Sequence, residues 1–223
     1  MNSIDAPIEI ETAQPVIASI VWMHGLGADG HDFVPLVPEF HLAYGVRFVF
    51  PHAPLRPVTL NAGYVMRAWF DIVAIHEYAP QDAEGIARSE QGIRALIEAE
   101  HRRGIPYERI FVAGFSQGGA LALHTALRFP QRLGGAIALS TYLPLHTRVE
   151  AEAHAANRDL PIFMAHGTQD TVVPLALGDM SRIHLRDLGY TVAWHTYAMP
   201  HSVAPDEIAD LCTWLNTRLA PAS

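Results

Sequence analysis

The stretch RIFVAGFSQGGALALHTALR, residues 109–128, runs from a short apolar segment straight into one with helical spacing, and the two join at Gly114-Phe115-Ser116-Gln117-Gly118-Gly119. A compact apolar run followed at once by a helical pattern reads as a buried strand feeding a helix. The glycines have a steric reason. A sharp strand-to-helix turn forces its central residue into a strained backbone conformation, and a side chain at 114 or 118 would collide with neighbouring backbone. G-x-S-x-G arises by chance in many chains. Its place between strand and helix makes it a candidate nucleophile elbow with Ser116 at the tip. The competing reading makes Ser116 only the N-cap of the helix.

Outward from this unit the pattern repeats. Apolar runs at 16–23, 46–50, 135–140, 161–166 and 192–197 alternate with helical segments, notably 85–103, 174–188 and 205–219. Runs apolar on both faces and separated by helices call for a mostly parallel sheet covered on both sides, so the class is α/β. No repeat, low-complexity tract or linker interrupts the pattern, and residues 1–223 read as one domain. Ligands of such sheets bind at the carboxyl ends of the strands. The segments that follow the runs are rich in Gly, Ser, Asp and His.

Composition removes several classes of function. Fifteen Lys+Arg against 23 Asp+Glu give a formal charge of −8, which repels phosphate backbones and argues against nucleic acid as a partner. The single cysteine, Cys212, excludes an intrachain disulfide and a cysteine-based zinc site, in keeping with a cytoplasmic protein. The opening MNSIDAPIEIETAQPV has acids where a secretory signal has a basic region. The longest apolar stretch, VIASIVWM, is far short of the ~20 residues that cross a bilayer, so no membrane insertion is expected. The 13 histidines bring the net charge toward zero in mild acid, where solubility should fall.

A serine hydroxyl needs a neutral imidazole to take its proton and a carboxylate to orient that imidazole. In an elbow architecture the acid and then the histidine follow the serine along the chain. Asp170, in the loop HGTQDTVVP after the run PIFMAH, is the best-placed acid; Asp159 precedes its strand, and Asp179, Asp187 and Asp206 fall in helical segments. Its bland alternative is a loop cap accepting backbone N–H groups. His201 follows the last run through Ala198-Met199-Pro200 and precedes the final helix. His195 lies within a strand and His184 within a helix, and a surface loop histidine is the alternative for His201.

Acyl transfer also needs donors aimed at the developing oxyanion. The backbone N–H of Gln117 follows the nucleophile, and Leu26, between glycines in His24-Gly25-Leu26-Gly27, offers the second. That loop also reads as G-x-G-x-x-G over residues 25–30, the dinucleotide fingerprint. The next strand, however, ends in Pro51-His52-Ala53-Pro54 with no carboxylate for a ribose, and two prolines spoil the following helix. His24, His31 and His52 form a third reading, a metal site, but no H-E-x-x-H or equivalent spacing supports it, and His24 is better used on loop backbone. No cofactor and no metal is expected.

With these residues assembled, the chain resembles the carboxylesterase and acyl-protein thioesterase (phospholipase/carboxylesterase) family of α/β-hydrolases. The resemblance rests on HGLGADGHDF (24–33), PHAPLRPVTLNAGYVMRAWFDI (51–72), GFSQGGALAL (114–123), HGTQDTVVP (166–174) and MPHSV (199–203). It implies a compact α/β-hydrolase fold without a large cap domain, a triad of Ser116, Asp170 and His201, and an oxyanion hole at Leu26 and Gln117. It further implies substrate contacts from Met66, Trp69, Phe70, Ile72 and Val173, with a loop at 73–81 bordering an acyl groove. Trp69 and Phe70 read equally well as core. His52 departs from the asparagine that family members often carry there. The implied activity is hydrolysis of short- to medium-chain carboxylic esters, with acyl-protein thioester and lysophospholipid hydrolysis as alternatives on the same site. An oxidoreductase using residues 25–30 and a non-catalytic binding module are the readings from other classes. The outer face of the last helix is the surface considered for a homodimer, which family members often form.

Overall fold

A computed structural model describes residues 6–220, so the first five residues of the acidic opening segment lie outside it. In chain order the strands are β1 (Ile8–Glu11), β2 (Val16–Met23), β3 (Gly45–Phe50), β4 (Leu55–Val58), β5 (Tyr64–Arg67), β6 (Ile110–Phe115), β7 (Gly135–Leu139), β8 (Ile162–Gly167) and β9 (Val192–Tyr197). The helices are α1 (Ala83–Arg102), α2 (Gln117–Arg128), the single turn α3 (Val149–Glu152), α4 (Leu175–Asp187) and α5 (Pro205–Leu219). Seven strands form one sheet in the order β1-β3-β2-β6-β7-β8-β9, parallel throughout except for β1 at the edge. This is the α/β-hydrolase fold, without a large cap.

The strands at 16–23 and the five later runs lie where their apolar patterns put them. Two elements were not expected from sequence. β1 is a short alternation, IEIE, in which every second residue is exposed, as suits an antiparallel edge strand. β4 and β5 form a separate hairpin turning at Ala62 and Gly63, both at positive φ. β9 is only half-buried, because it closes the other edge of the sheet.

The sheet buries both faces, which is why its strands read as continuous apolar runs. On one face Val21, Val112, Ala138 and Met164 meet α1 and α2. α2 is buried along its whole length, which explains why its sequence is small and apolar nearly all round. On the other face Trp22, Phe48, Phe111 and Phe163 meet Leu211, Trp214 and Leu215 of α5. The outward positions of α5, Asp206, Ala209, Thr213 and Thr217, are small or polar.

Phe163, fully buried with ring contacts to Trp214 and His195 at 5.7 and 5.0 Å, anchors this second layer. Phe163→Ala should destabilise the fold by ~3–5 kcal/mol in urea unfolding. A loss below ~0.5 kcal/mol, the range of surface substitutions, would contradict this packing.

Candidate active site

The site is built by register. Met23 pairs with Gly114, Phe115 with Leu139, Leu139 with Ala165, and Gly167 with Tyr197, so the carboxyl ends of five neighbouring strands finish at one edge. β2 connects onward to β3 on one side while β6 lies on its other side, so the chain reverses its direction of travel across the sheet between β2 and β6. That switch point is where open α/β sheets bind ligands.

Ser116 sits there with φ 54° and ψ −120°, a strained conformation for a residue with a side chain. A Cβ on Gly114 would lie 2.3 Å from Gly118 backbone, and one on Gly118 2.2 Å from the Met23 carbonyl oxygen. Both glycines are therefore needed for β6, α2 and β2 to meet. Ser116 N–H donates to the Leu139 carbonyl at 2.9 Å, and Thr141 Oγ1 donates to the Ser116 carbonyl at 2.6 Å. The Ser116 side chain makes no capping hydrogen bond to α2, so the N-cap reading does not account for it.

Asp170 and His201 are brought together by loops after β8 and β9. Thr168 N–H and Gln169 N–H donate to the carbonyls of Tyr197 and Met199 at 2.8 and 3.1 Å, tying one loop to the other. Asp170 Oδ2 accepts from His201 Nδ1 at 2.6 Å, while Oδ1 accepts from the backbone of Val172 and Val173 at 2.9 Å each. Each carboxylate oxygen thus has its own partners, one the backbone of its loop and the other the His201 imidazole. With Nδ1–H donating, His201 keeps Nε2 as its basic nitrogen. The His201 ring lies 4.7 Å from that of Phe115, the residue before Ser116, which brings the imidazole to the elbow. The rejected candidates are engaged elsewhere. Asp159 and Asp179 pair with Arg132 and Arg182, His195 stacks on Phe163, and His184 contacts the His146 carbonyl.

The loop 24–30 packs onto the same elbow. A Cβ on Gly25 would lie 3.5 Å from Ser116 Cβ. Gly27 and Ala28 N–H groups donate to the Arg67 and Gly25 carbonyls, whereas Leu26 N–H has no backbone acceptor among the described residues. Gln117 opens α2, so helix geometry leaves its N–H without an intrahelical acceptor. His24 fixes the loop from below, with Nδ1 on the Gly25 carbonyl at 2.7 Å and Nε2 accepting from Ala53 N–H at 3.0 Å. Burial lowers its pKa to about 4, so it holds both bonds as a neutral ring.

His24 is therefore unavailable to a metal. Asp29, His31 and His52 do place three donor atoms within 4.8 Å of one another. His31 Nδ1 bonds Asp29 at 3.0 Å, and His52 Nδ1 accepts from Gly30 N–H at 3.1 Å, which puts the His52 ring proton on Nε2. Metal-ligating histidines instead donate their second ring N–H, so this cluster fits a hydrogen-bonded loop better than an ion site.

Three contacts have no signal in the sequence. The Gln117 side chain accepts from Trp69 N–H at 2.8 Å and donates to the Phe70 carbonyl at 2.7 Å, docking residues 69–70 on the elbow. Beside them a cavity of about 220 Å³ is lined by Phe70, Ile72, Ile75, Tyr142, Leu143 and Met180, among others, and bounded by the loop 73–81 that the Ile72–Gln81 bridge closes. Of the expected substrate residues, Phe70 and Ile72 line this cavity, and Met66 lies beside Gly27 instead. Trp69 and Val173 are not among the residues lining this cavity. Trp69 is 3% exposed with Nε1 on the His24 carbonyl at 2.9 Å, and Val173 is buried in the acid loop, so both position the site from within the core. His166, beneath Asp170, and Glu207, beneath the His201 loop, are the other two. Glu207 Oε2 accepts from Ala204 N–H at 3.3 Å, Oε1 is buried without a partner among the described residues, and burial raises the carboxyl to about 7.

The family model described as phospholipase/carboxylesterase matches residues 6–219. Acyl-protein thioesterase 1 of Yarrowia lipolytica is 37% identical over 209 residues, covering 91% of this chain and 92% of that protein. The Neurospora crassa protein of the same name is 38% identical over 224 residues, covering 96% and 91%. Among solved structures, Arabidopsis thaliana SOBER1 superposes with a TM-score of 0.87 at 32% identity, covering 91% of this chain and 99% of that one. Zea mays acyl-protein thioesterase 2 gives 0.84 at 30% identity, covering 96% and 99%.

The buried Glu207 carboxyl makes stability depend on pH. Unfolded, its carboxyl ionises near the ordinary 4.5; folded, it holds its proton to about 7. Between those values the native state binds more protons, so this group lowers stability as pH rises through the window. Glu207→Gln removes the effect, and its stability relative to the unsubstituted protein should increase by roughly 1–3 kcal/mol between pH 5 and pH 8 in urea titrations. A pH-independent difference would contradict this.

Proposed function

Because the chain belongs to the phospholipase/carboxylesterase family of α/β-hydrolases, we propose that this serine hydrolase cleaves acyl thioesters, on the pattern of acyl-protein thioesterases, through an acyl-Ser116 intermediate. The observation that carries the reading is the Asp170–His201 bond of 2.6 Å beside a strained serine at φ 54°. The relatives' names favour thioesters over the short-chain oxygen esters suggested by the sequence alone.

In this mechanism His201 Nε2 takes the proton of Ser116 Oγ as it attacks the thioester carbonyl. Asp170 holds the imidazole in the required tautomer and stabilises its charged form. The N–H groups of Leu26 and Gln117 receive the oxyanion, each donor contributing up to about 3–4 kcal/mol to lowering the barrier. The carbonyl re-forms, the thiol leaves with the proton from His201, and water activated by the same histidine releases the acid. The chemistry requires none of the fixed charges of a metal or dinucleotide.

The cavity supports an acyl substrate. At about 220 Å³ it is smaller than the roughly 300–1,000 Å³ pockets of drug-sized ligands and suits a single slender chain. Its lining includes Met180 of α4, one of the exposed apolar side chains of the described surface.

Ser116→Ala should abolish thioester turnover and fluorophosphonate labelling while leaving the circular dichroism spectrum unchanged. Retained turnover would remove Ser116 from the nucleophile role. Asp170→Asn should lower kcat by up to ~10⁴-fold without unfolding the protein, whereas full-rate Asp170→Asn would dismiss this acid. Across a chain-length series, kcat/KM for thioesters should exceed that for matched oxygen esters; the reverse order would restore the carboxylesterase reading.

A further inference from the structure

The reaction outlined above leaves His166 without a task, yet it is fully buried directly beneath the acid. It stands near the end of β8, where its backbone pairs with Thr196 of β9, and so belongs to the rigid sheet. Its Nε2 lies 2.8 Å from the Val173 carbonyl oxygen and 3.5 Å from Asp170 Oδ2. A carbonyl can only accept, so the ring proton is on Nε2 and points at the acid loop. Nδ1 is buried without a partner among the described residues and faces Gly178 of α4, where a Cβ would come within 2.4 Å of it. No acceptor is available there for a second proton. The titratable groups acting on the ring are Asp170 and His201, and burial lowers its basicity below the ordinary imidazole range.

Val173 is thereby held at both ends. Its N–H donates to Asp170 Oδ1 and its carbonyl accepts from His166. The imidazole links a strand to the loop that carries the carboxylate. Two imidazoles flank Asp170 Oδ2, one enclosed at 3.5 Å and the other, His201, at 2.6 Å on the open side. Burial and the unpartnered Nδ1 disfavour a charged form of the enclosed ring, which leaves the carboxylate's charge for His201.

We propose that His166 is a positioning residue for the reaction: its single fixed N–H clamps the Val173 carbonyl so that Asp170 Oδ2 stays aimed at His201. The inference rests on Asp170 and His201 being the acid and base proposed above. Loss of the clamp frees the loop and leaves a buried carbonyl unpaired, and small misplacements of catalytic groups can reduce rate by ~10²-fold.

The test is a double-mutant cycle with a thioester substrate. His166→Met fills the space without an N–H, and His166→Gln restores a donor near the Nε2 position. His166→Met should lower kcat by about 10- to 100-fold with KM changed less than about twofold, and should move the low-field Nδ1–H resonance of His201. His166→Gln should recover most of the rate. In an Asp170→Asn background His166→Met should add no more than about a twofold further loss, since the clamp acts through the carboxylate. Equal penalties in both backgrounds, or full kcat in His166→Met, would overturn the proposal. Full activity in Asp170→Asn alone would remove the triad reading itself, and the clamp with it. Should His166→Met fail to fold, imidazole ¹⁵N spectra of the unsubstituted protein decide: His166 as a neutral Nε2–H ring from pH 5 to 8 supports the clamp, and protonation or an Nδ1–H tautomer overturns it.

Discussion

Helix α2 begins so close to the end of β2 that a single methyl group at position 118 would lie 2.2 Å from the Met23 carbonyl oxygen. This close approach governs the site. It lets the chain leave β6 and enter a helix within one residue, which holds Ser116 at φ 54° with its side chain at the sheet edge. It also sets the loop after β2 against the elbow, so that a Cβ on Gly25 would already touch Ser116. The Leu26 and Gln117 N–H groups and the Ser116 side chain therefore come from adjacent strand ends whose relative position is fixed by sheet register. The core on both sides, with α2 buried along its length, holds a backbone conformation that would otherwise relax.

The remaining groups are placed by hydrogen bonds between loops. Asp170 uses one oxygen to fold its own loop and the other to orient His201, and His201 is held near the elbow through the link between residues 168–169 and 197–199. Neutral histidines support both halves: His24 under the loop after β2 and His166 under the acid. At both places burial outweighs the nearby carboxylates, Asp29 for His24 and Asp170 for His166, in disfavouring the charged ring. Burial selects the neutral form, and a neutral ring with one donor and one acceptor is a rigid, directional spacer.

Much of this was legible in the sequence because its causes are local. The steric demand of the elbow shows as glycines at 114 and 118, and sheet burial shows as the apolar runs. Asp170 and His201 stand out among many acids and histidines because a strand end is a readable address, and their side chains meet at 2.6 Å. β1 escaped notice because four alternating residues carry little signal, and the β4–β5 hairpin because its turn relies on a left-handed Ala62 beside Gly63. The duties of Trp69, Gln117 and His166 were hidden for a different reason. Each depends on contact between segments distant along the chain, or on which ring nitrogen faces which carbonyl, and residue type alone specifies neither.

The proposed mechanism turns on a covalent intermediate formed at the elbow by the Ser116, His201 and Asp170 arrangement. Rapid acid quenching during turnover of a long-chain acyl thioester, followed by peptide mass mapping, tests it most directly. The expected result is a stoichiometric acyl adduct on the peptide containing Ser116, formed at the rate of the initial burst of thiol. Steady thiol release with no adduct, or an adduct on another residue, would contradict it.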